Sequence, residues 1–498
     1  MCNKDIFSFR THFFEKSLYL HKNNTMQKRV SNWSFIVLVL LTLIMLCAAI
    51  PILPTFDDWT SLTRPTFEPL FTKERWLFFG YHWRPFDSFF GYLLGLNPQL
   101  LFPLLNHCCV VIGHSLCSLL VFRVIRELGY SRIVADISML FFFLAPATMA
   151  TVLAVDSMNQ TYALLWGLLS FLVYIRQQKM KYLIWVILVF IATLCKENGL
   201  MWALIAPILA FGYDLIGRQQ LKKDLLIGIG VMVAYALVIL LTPKDIVIHP
   251  EYEPGVLKTV GNIVKFLFTT FVTVDYVYLL HHPSRNLFLA ILSLLPTLLV
   301  FYFIFVRQAK QIASKRMICA ILCMLIAVGP HLLTIYSMMH AYAGLTFFAI
   351  IVAHVAERYR EKKRPLFFVF LLYILSAVLI DAHLWYESYK SGLVGKEMSH
   401  EVIRKTGEPV KTVYLIIIED DYPKLSSFCV VPSDAFGWGM AVQYETNYQW
   451  PEVISDTTIE RSPHARQDAE KLAKNILSEK EYECVWLVDH KTVDVIRE

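Results

Sequence analysis

The sequence predicts an α-helical polytopic membrane protein of about 11 transmembrane helices, closed by a small C-terminal α/β domain outside the membrane. Three observations predict it. Apolar runs of roughly 20 residues recur along the chain, the length a helix needs to cross a bilayer. The 498 residues are 56% hydrophobic and only 17% charged, with a mean hydropathy of +0.51. Beyond residue 384 the composition changes to that of a mixed, water-soluble fold. The net charge of +6 is no nucleic-acid signature, because the basic residues sit in short loops between spans, where they orient a membrane protein.

Residues 1–32 are polar and basic and are expected in the cytoplasm. The first apolar run, 33–53, is too long for a signal-peptide core and has no small-residue cleavage site after it, so it reads as a retained anchor. Met26, followed by Gln27-Lys28-Arg29, is an alternative start to Met1. Further spans are expected at 101–122, 133–154, 159–175, 181–195, 199–216, 225–242, 286–306, 317–337, 341–356 and 366–384. Basic residues cluster in the loops at 123–132, 176–181 and 218–223. All fall on the side of the N-terminus, which makes that side cytoplasmic.

The segment 258–280 tests this count. If it crossed the membrane, the basic loops around Arg307 and Arg358 would land outside. Lys258, Asn262 and Lys265 stand at helical spacing, which suits a helix lying in the interface or re-entering it. The expectation is therefore eleven spans, N-terminus inside and C-terminus outside. Residues 33–384 form the membrane domain, with a long first outer loop at 54–100, and 385–498 form the soluble domain. In the latter, 411–418 and 483–489 read as buried strands and 465–477 as an amphipathic helix. Cys429 and Cys484 are the cysteines of the soluble part, and a disulfide between them is one expectation.

Chemistry-bearing residues gather at the outer ends of the spans. Asp57 and Asp58 are adjacent carboxylates where the first span ends, followed by Trp59 and by an aromatic loop containing Tyr81-His82-Trp83-Arg84-Pro85. A carboxylate beside an apolar surface can serve as a general base; the plain reading is a polar loop leaving a membrane. Pro146 to Gln160 forms a second outer loop with Asp156, Asn159 and Gln160, which is otherwise simply a polar hairpin. Lys196-Glu197-Asn198-Gly199 places charges at an outer helix end, where they are either functional or a structural ion pair. Met339-His340-Ala341-Tyr342 opens a late span. His107 and His114 are seven residues apart, about 10 Å along a helix, too far to share one ion; His114 reads as a packing or hydrogen-bonding residue.

An acidic pair after the first span, an aromatic loop with Arg84-Pro85, and Lys196-Glu197-Asn198-Gly199 in this order resemble the GT-C superfamily of multi-span glycosyltransferases. The protein O-mannosyltransferase-like and dolichyl-phosphate-mannose-using branches, and their bacterial counterparts, are the nearest in pattern. The resemblance covers about residues 33–355. It implies transfer of a sugar from a polyprenyl-phosphate-linked donor to an acceptor hydroxyl, with inversion, on the outer face of a bacterial inner membrane. It implies that Asp57 or Asp58 activates the acceptor, that Asp156 is a second acidic group with Asn159 and Gln160 as hydrogen-bonding residues, and that Arg84 or Lys196 binds the donor phosphate. Glu197, His340 and Tyr342 are supporting residues; His340 stands where relatives have Arg. The acceptor is a glycan, a lipid or a protein. No cofactor is required by the pattern, although a divalent cation could bridge carboxylate and phosphate, and its ligands are not identified. An O-antigen polymerase or ligase and a polytopic lipid or solute transporter are the alternatives.

Overall fold

The computed structural model describes residues 33–55, 58–59, 104–155, 157–176, 180–241, 254–272, 283–302, 314–334, 336–359, 363–419, 435–446, 449–450, 453–489 and 492–497. The chain divides into two compact units, Met1–Ile44 and Met45–Glu498. Helix α1 (Trp33–Ala49) runs from the first into the second. In the first unit the Thr42 hydroxyl donates to the Leu38 carbonyl at 2.7 Å, which satisfies a polar side chain within an apolar helix.

The second unit continues with α2 (Leu104–Glu127), α3 (Arg132–Phe143), α4 (Met158–Ile175), α5 (Lys181–Cys195), α6 (Trp202–Gly212), α7 (Arg218–Leu241), α8 (Val256–Val272), α9 (Pro283–Phe301), α10 (Lys315–Leu333), α11 (Tyr342–Arg358) and α12 (Lys363–Thr406). Every apolar segment expected to span carries a helix. Among the described residues, five are long and apolar enough to cross a membrane: α2, α4, α10, α11 with the turn before it, and α12 from Phe367. A sixth is α3 together with Pro146–Val152, bent by 48°. The bend falls where Pro146 withdraws a backbone N–H from the helix. The chain is an integral membrane protein.

Polar residues inside the bundle are tied to named partners. The His114 ring lies fully buried between Phe143 and Tyr342. Its Nε2 is 3.0 Å from the Phe143 carbonyl, which can only accept. Nε2 therefore carries the proton, and Nδ1 accepts from the Tyr342 hydroxyl at 2.8 Å. One imidazole thus links α2, α3 and α11. Asp224 on α7 is buried and accepts from Gln220 at 2.7 Å and from the Tyr174 hydroxyl of α4. Asn262 on α8 donates to the carbonyls of Leu332 and Thr334, at 3.1 and 3.2 Å. Those carbonyls belong to the C-terminal end of α10, which lacks intrahelical partners. Asn262 is therefore buried as a cap rather than set at a lipid interface, while Val256, Leu257, Val260 and Val264 of the same helix are exposed.

Close helix contacts use small residues, as is usual where lipid gives little drive for helices to associate. At Gly228 of α7 a Cβ would stand 2.4 Å from the Ala203 carbonyl oxygen of α6, whereas at Gly230 it would meet nothing within 4 Å.

Helix α12 is a single rod of 44 residues. Its first half exposes Phe367, Leu371, Leu375 and Val378 at helical spacing, as a lipid-facing stripe does. Its second half buries Met398 and Val402 against a sheet. The sequence-derived boundary between 384 and 385 falls within this unbroken helix. The soluble fold then follows as β1 (Val413–Glu419), α13 (Met440–Glu445), β2 (Val453–Glu460), α14 (Ala465–Ser478), β3 (Cys484–Asp489) and β4 (Thr492–Ile496). The sheet order is β2-β1-β3-β4, with β1 parallel to both neighbours and β4 antiparallel to β3. Alternation along β1 sends Ile416 and Ile418 towards α14, and Val413, Leu415 and Ile417 towards α12 and α13. Both faces are covered, so the strand is apolar from Val413 to Ile418.

Cys484 corrects one expectation. Its thiol is free and buried within the core shared with Trp486 and Phe436, not paired; Cys429 lies outside the described residues. Burial pushes the Cys484 thiol up to about 11, against a weaker pull from Arg497.

Two measurements test this packing. Gly228→Val is expected to lower thermal stability in detergent by about 1–3 kcal/mol, the cost of overpacking, and Gly230→Val to leave it unchanged. For Cys484, the unfolded thiol ionises near its ordinary value of 9.0 and the folded one only near 11. Stability is therefore expected to fall as pH rises through that window. The Cys484→Ala variant should show a shallower fall, read by denaturation at a series of pH values.

Candidate functional site

The segments that follow α1 and α3 meet at Asp58. It lies 3% exposed in a short helical turn with Trp59. Its Oδ1 accepts from the Val155 N–H at 2.7 Å and its Oδ2 from the Thr55 N–H at 3.4 Å. Its own N–H donates to the Thr55 carbonyl at 3.1 Å. One carboxylate therefore closes the first loop on itself and attaches it to the second loop, next to position 156. The second loop is attached in turn to the turn before α11. The Thr151 hydroxyl donates to the Met339 carbonyl at 3.2 Å, and the Ser157 hydroxyl reaches Met339 Sδ at 3.4 Å. His340 follows, buried, with Nδ1 accepting from the Ser337 N–H at 3.0 Å and its ring stacked on His331 at 3.8 Å.

Trp59 points the other way. Its indole N–H donates to the Ala435 carbonyl at 3.3 Å, and its ring meets Tyr444 edge-on at 5.8 Å. It belongs to the core of the soluble fold, with Phe436, Trp486 and Met398. The fit needs glycine on two sides. A Cβ at Gly437 would stand 2.4 Å from the indole, and one at Gly395 of α12 would stand 2.0 Å from the Ala435 oxygen. Gly392, one turn earlier, leaves room for Leu53. Sequence reading placed Trp59 only as the residue after the acidic pair and missed this role; the glycines at 392, 395 and 437 were its only signal.

The structure brings Asp58, the segment between α3 and α4, and His340 into one region. Tyr342 is not part of it, being buried in the bundle against His114. Asn159 and Gln160 open α4 and are buried. The Gln160 amide has no hydrogen bond among the described residues. Lys196 is 5% exposed at the C-terminal end of α5, and Glu197 starts the 3-10 turn leading to α6. That turn packs against α4 and α10, and no contact of Lys196 with Asp58 is seen among the described residues. Asp57, Arg84 and Asp156, with most of loop 54–100, lie outside the described residues.

The described residues hold no group of three or more His, Cys, Asp or Glu side chains arranged for a metal ion. Both Asp58 oxygens already accept backbone N–H groups.

No protein-family model matches the chain, and no curated protein matches it. Among solved structures, it is similar to the archaeal oligosaccharyltransferase AglB from Archaeoglobus fulgidus, solved in complex with an inhibitory peptide and a dolichol-phosphate. The likeness covers 92% of this chain and 69% of that one, at 14% sequence identity and a TM-score of 0.48.

Trp59→Phe is expected to cost about 1 kcal/mol, the worth of one hydrogen bond. Trp59→Ala should cost about 3–5 kcal/mol, the price of emptying a core aromatic site. Thermal unfolding of the two variants in detergent checks the order; equal costs would place the binding of this loop elsewhere.

Proposed function

We propose that the chain is an integral-membrane glycosyltransferase that moves a sugar from a polyprenyl-phosphate-linked donor to an acceptor hydroxyl at the outer face of the membrane, inverting the anomeric carbon. The observation that carries this reading is the Asp57-Asp58 pair: a carboxylate just beyond the first span, buried where two outer loops and the soluble fold converge. It agrees with the GT-C resemblance of residues 33–355. The reading includes eleven crossings, with the N-terminus inside and the soluble fold outside, as the basic loops require. A bacterial inner membrane is the setting the resemblance implies.

The two carboxylates divide the work. Asp58, engaged by two backbone N–H groups, positions the loop. Asp57 takes the proton from the acceptor hydroxyl. The oxygen then bonds to the anomeric carbon as the bond from that carbon to the phosphate oxygen breaks, and the phosphate leaves with the lipid. Lys196 or Arg84 balances the charge on the departing phosphate. A lipid tail holds the donor at the bilayer, each buried CH₂ contributing about 0.8 kcal/mol, so the site must stand at the membrane surface.

Transfer of a labelled sugar from polyprenyl-phosphate donors in membranes tests this reading. Asp57→Asn is expected to lower turnover by about 10²-fold or more at unchanged thermal stability. Asp58→Asn should lower turnover and stability together. Loss confined to Asp58→Asn, at unchanged stability, would exchange the two roles. Full activity in the double variant would overturn the reading.

A further inference from the structure

The turn Gly437-Trp438-Gly439 joins the site region to a second cleft. Its three successive residues have φ of +59, +50 and +97°. The middle one is a tryptophan, and bulky L-residues rarely adopt this region. Neither glycine can be replaced without movement: a Cβ at Gly439 would stand 2.4 Å from Val453, as one at Gly437 would from Trp59. Between two buried glycines the turn presents a half-buried indole in a cleft of about 310 Å³, lined by Trp438, Met440, Gln443, Val453 and Asp456. Such strain persists only where the surroundings hold it, and it concentrates at ligand sites.

Gln443 supplies an independent observation. It is only 6% exposed, and among the described residues no hydrogen bond engages its side-chain amide; its main-chain carbonyl accepts from Thr446. An amide carries two donors and an acceptor oxygen, and Gln443 lines the cleft with them untaken by any described residue. Across the cleft Asp456, exposed on edge strand β2, adds a carboxylate acceptor. An indole face, an amide and a carboxylate complement a sugar ring: the C–H face of the ring stacks on the indole, and its hydroxyls bond the two polar groups. A lipid chain would have no use for Gln443 and Asp456.

We propose that this cleft is a carbohydrate subsite and that the acceptor of the reaction is a glycan held there, beside the loop that carries Asp57 and Asp58. The inference rests on the glycosyltransferase reading for the word acceptor, but the binding itself does not. Position supports the link: Gly437 packs on Trp59, the residue after Asp58.

Saturation-transfer NMR with the full chain in lipid nanodiscs tests it without donor or turnover. The probes are α-mannotriose, maltotriose, chitotriose and β-galactotriose, with the tripeptide Gly-Ser-Gly as the contrasting ligand. At least one sugar is expected to bind the unaltered protein. Trp438→Gly should weaken that binding by about tenfold or more, with the fold retained in thermal unfolding; glycine relieves the positive φ but gives up the packing of the indole on the core. Trp438→Tyr should keep most of the binding, and Gln443→Leu should weaken it at unchanged stability. No binding by any of the sugars, unchanged binding in Trp438→Gly, or preference for the tripeptide would overturn the proposal. Because no transfer is measured, sugar binding can stand even if Asp57 and Asp58 prove inert, and it can fail while transfer stands.

Discussion

The hydrogen bond from the Trp59 indole to the Ala435 carbonyl, with the packing around it, is the constraint that ties the segment after α1 to the C-terminal sheet. Asp58 and Trp59 are neighbours in one helical turn, and successive residues in such a turn point about 100° apart. The carboxylate can therefore hold the second loop while the indole enters the soluble core. Either contact limits the freedom of the other. An aromatic residue contributes a large apolar area with few rotatable bonds, which suits it to fixing the place of the segment it stands in.

Inside the bundle the same task falls to isolated polar side chains. His114 joins three helices through two hydrogen bonds whose directions are set by the carbonyl of Phe143. Asn262 finishes α10 from a neighbouring helix. In an apolar surrounding a polar group is costly unless paired, so each such pair selects one arrangement of helices. The same logic explains why Tyr342, one residue from the outer turn, serves the bundle and not the site: its hydroxyl is committed to His114.

The helices were legible in the sequence because each is an apolar run of the required length, and β1, β3 and α14 because buried strands and amphipathic helices have strong periodicity. Strands β2 and β4 were not read. Both lie at the sheet edges, where polar Ser455-Asp456-Thr457-Thr458 and Asp494 dilute the apolar signal. At the site, Asp58 was legible because two carboxylates at the end of an apolar span are unusual. Trp438 and the union of Trp59 with Ala435 were not, since the latter joins residues 376 apart. Long-range contacts of that kind leave in the sequence only small residues that make room, here Gly392, Gly395 and Gly437.

Helix α12 passes from its lipid-facing stripe into the sheet core without a glycine-proline break. At about 1.5 Å per residue it is a rod of roughly 66 Å. A rod has no hinge, so any tilt of its apolar half is transmitted in full to the sheet and the cleft it supports. Helix tilt is how a span adjusts to bilayer thickness. The attitude of the C-terminal sheet is thereby coupled to the tilt that the apolar half of α12 takes up in a bilayer.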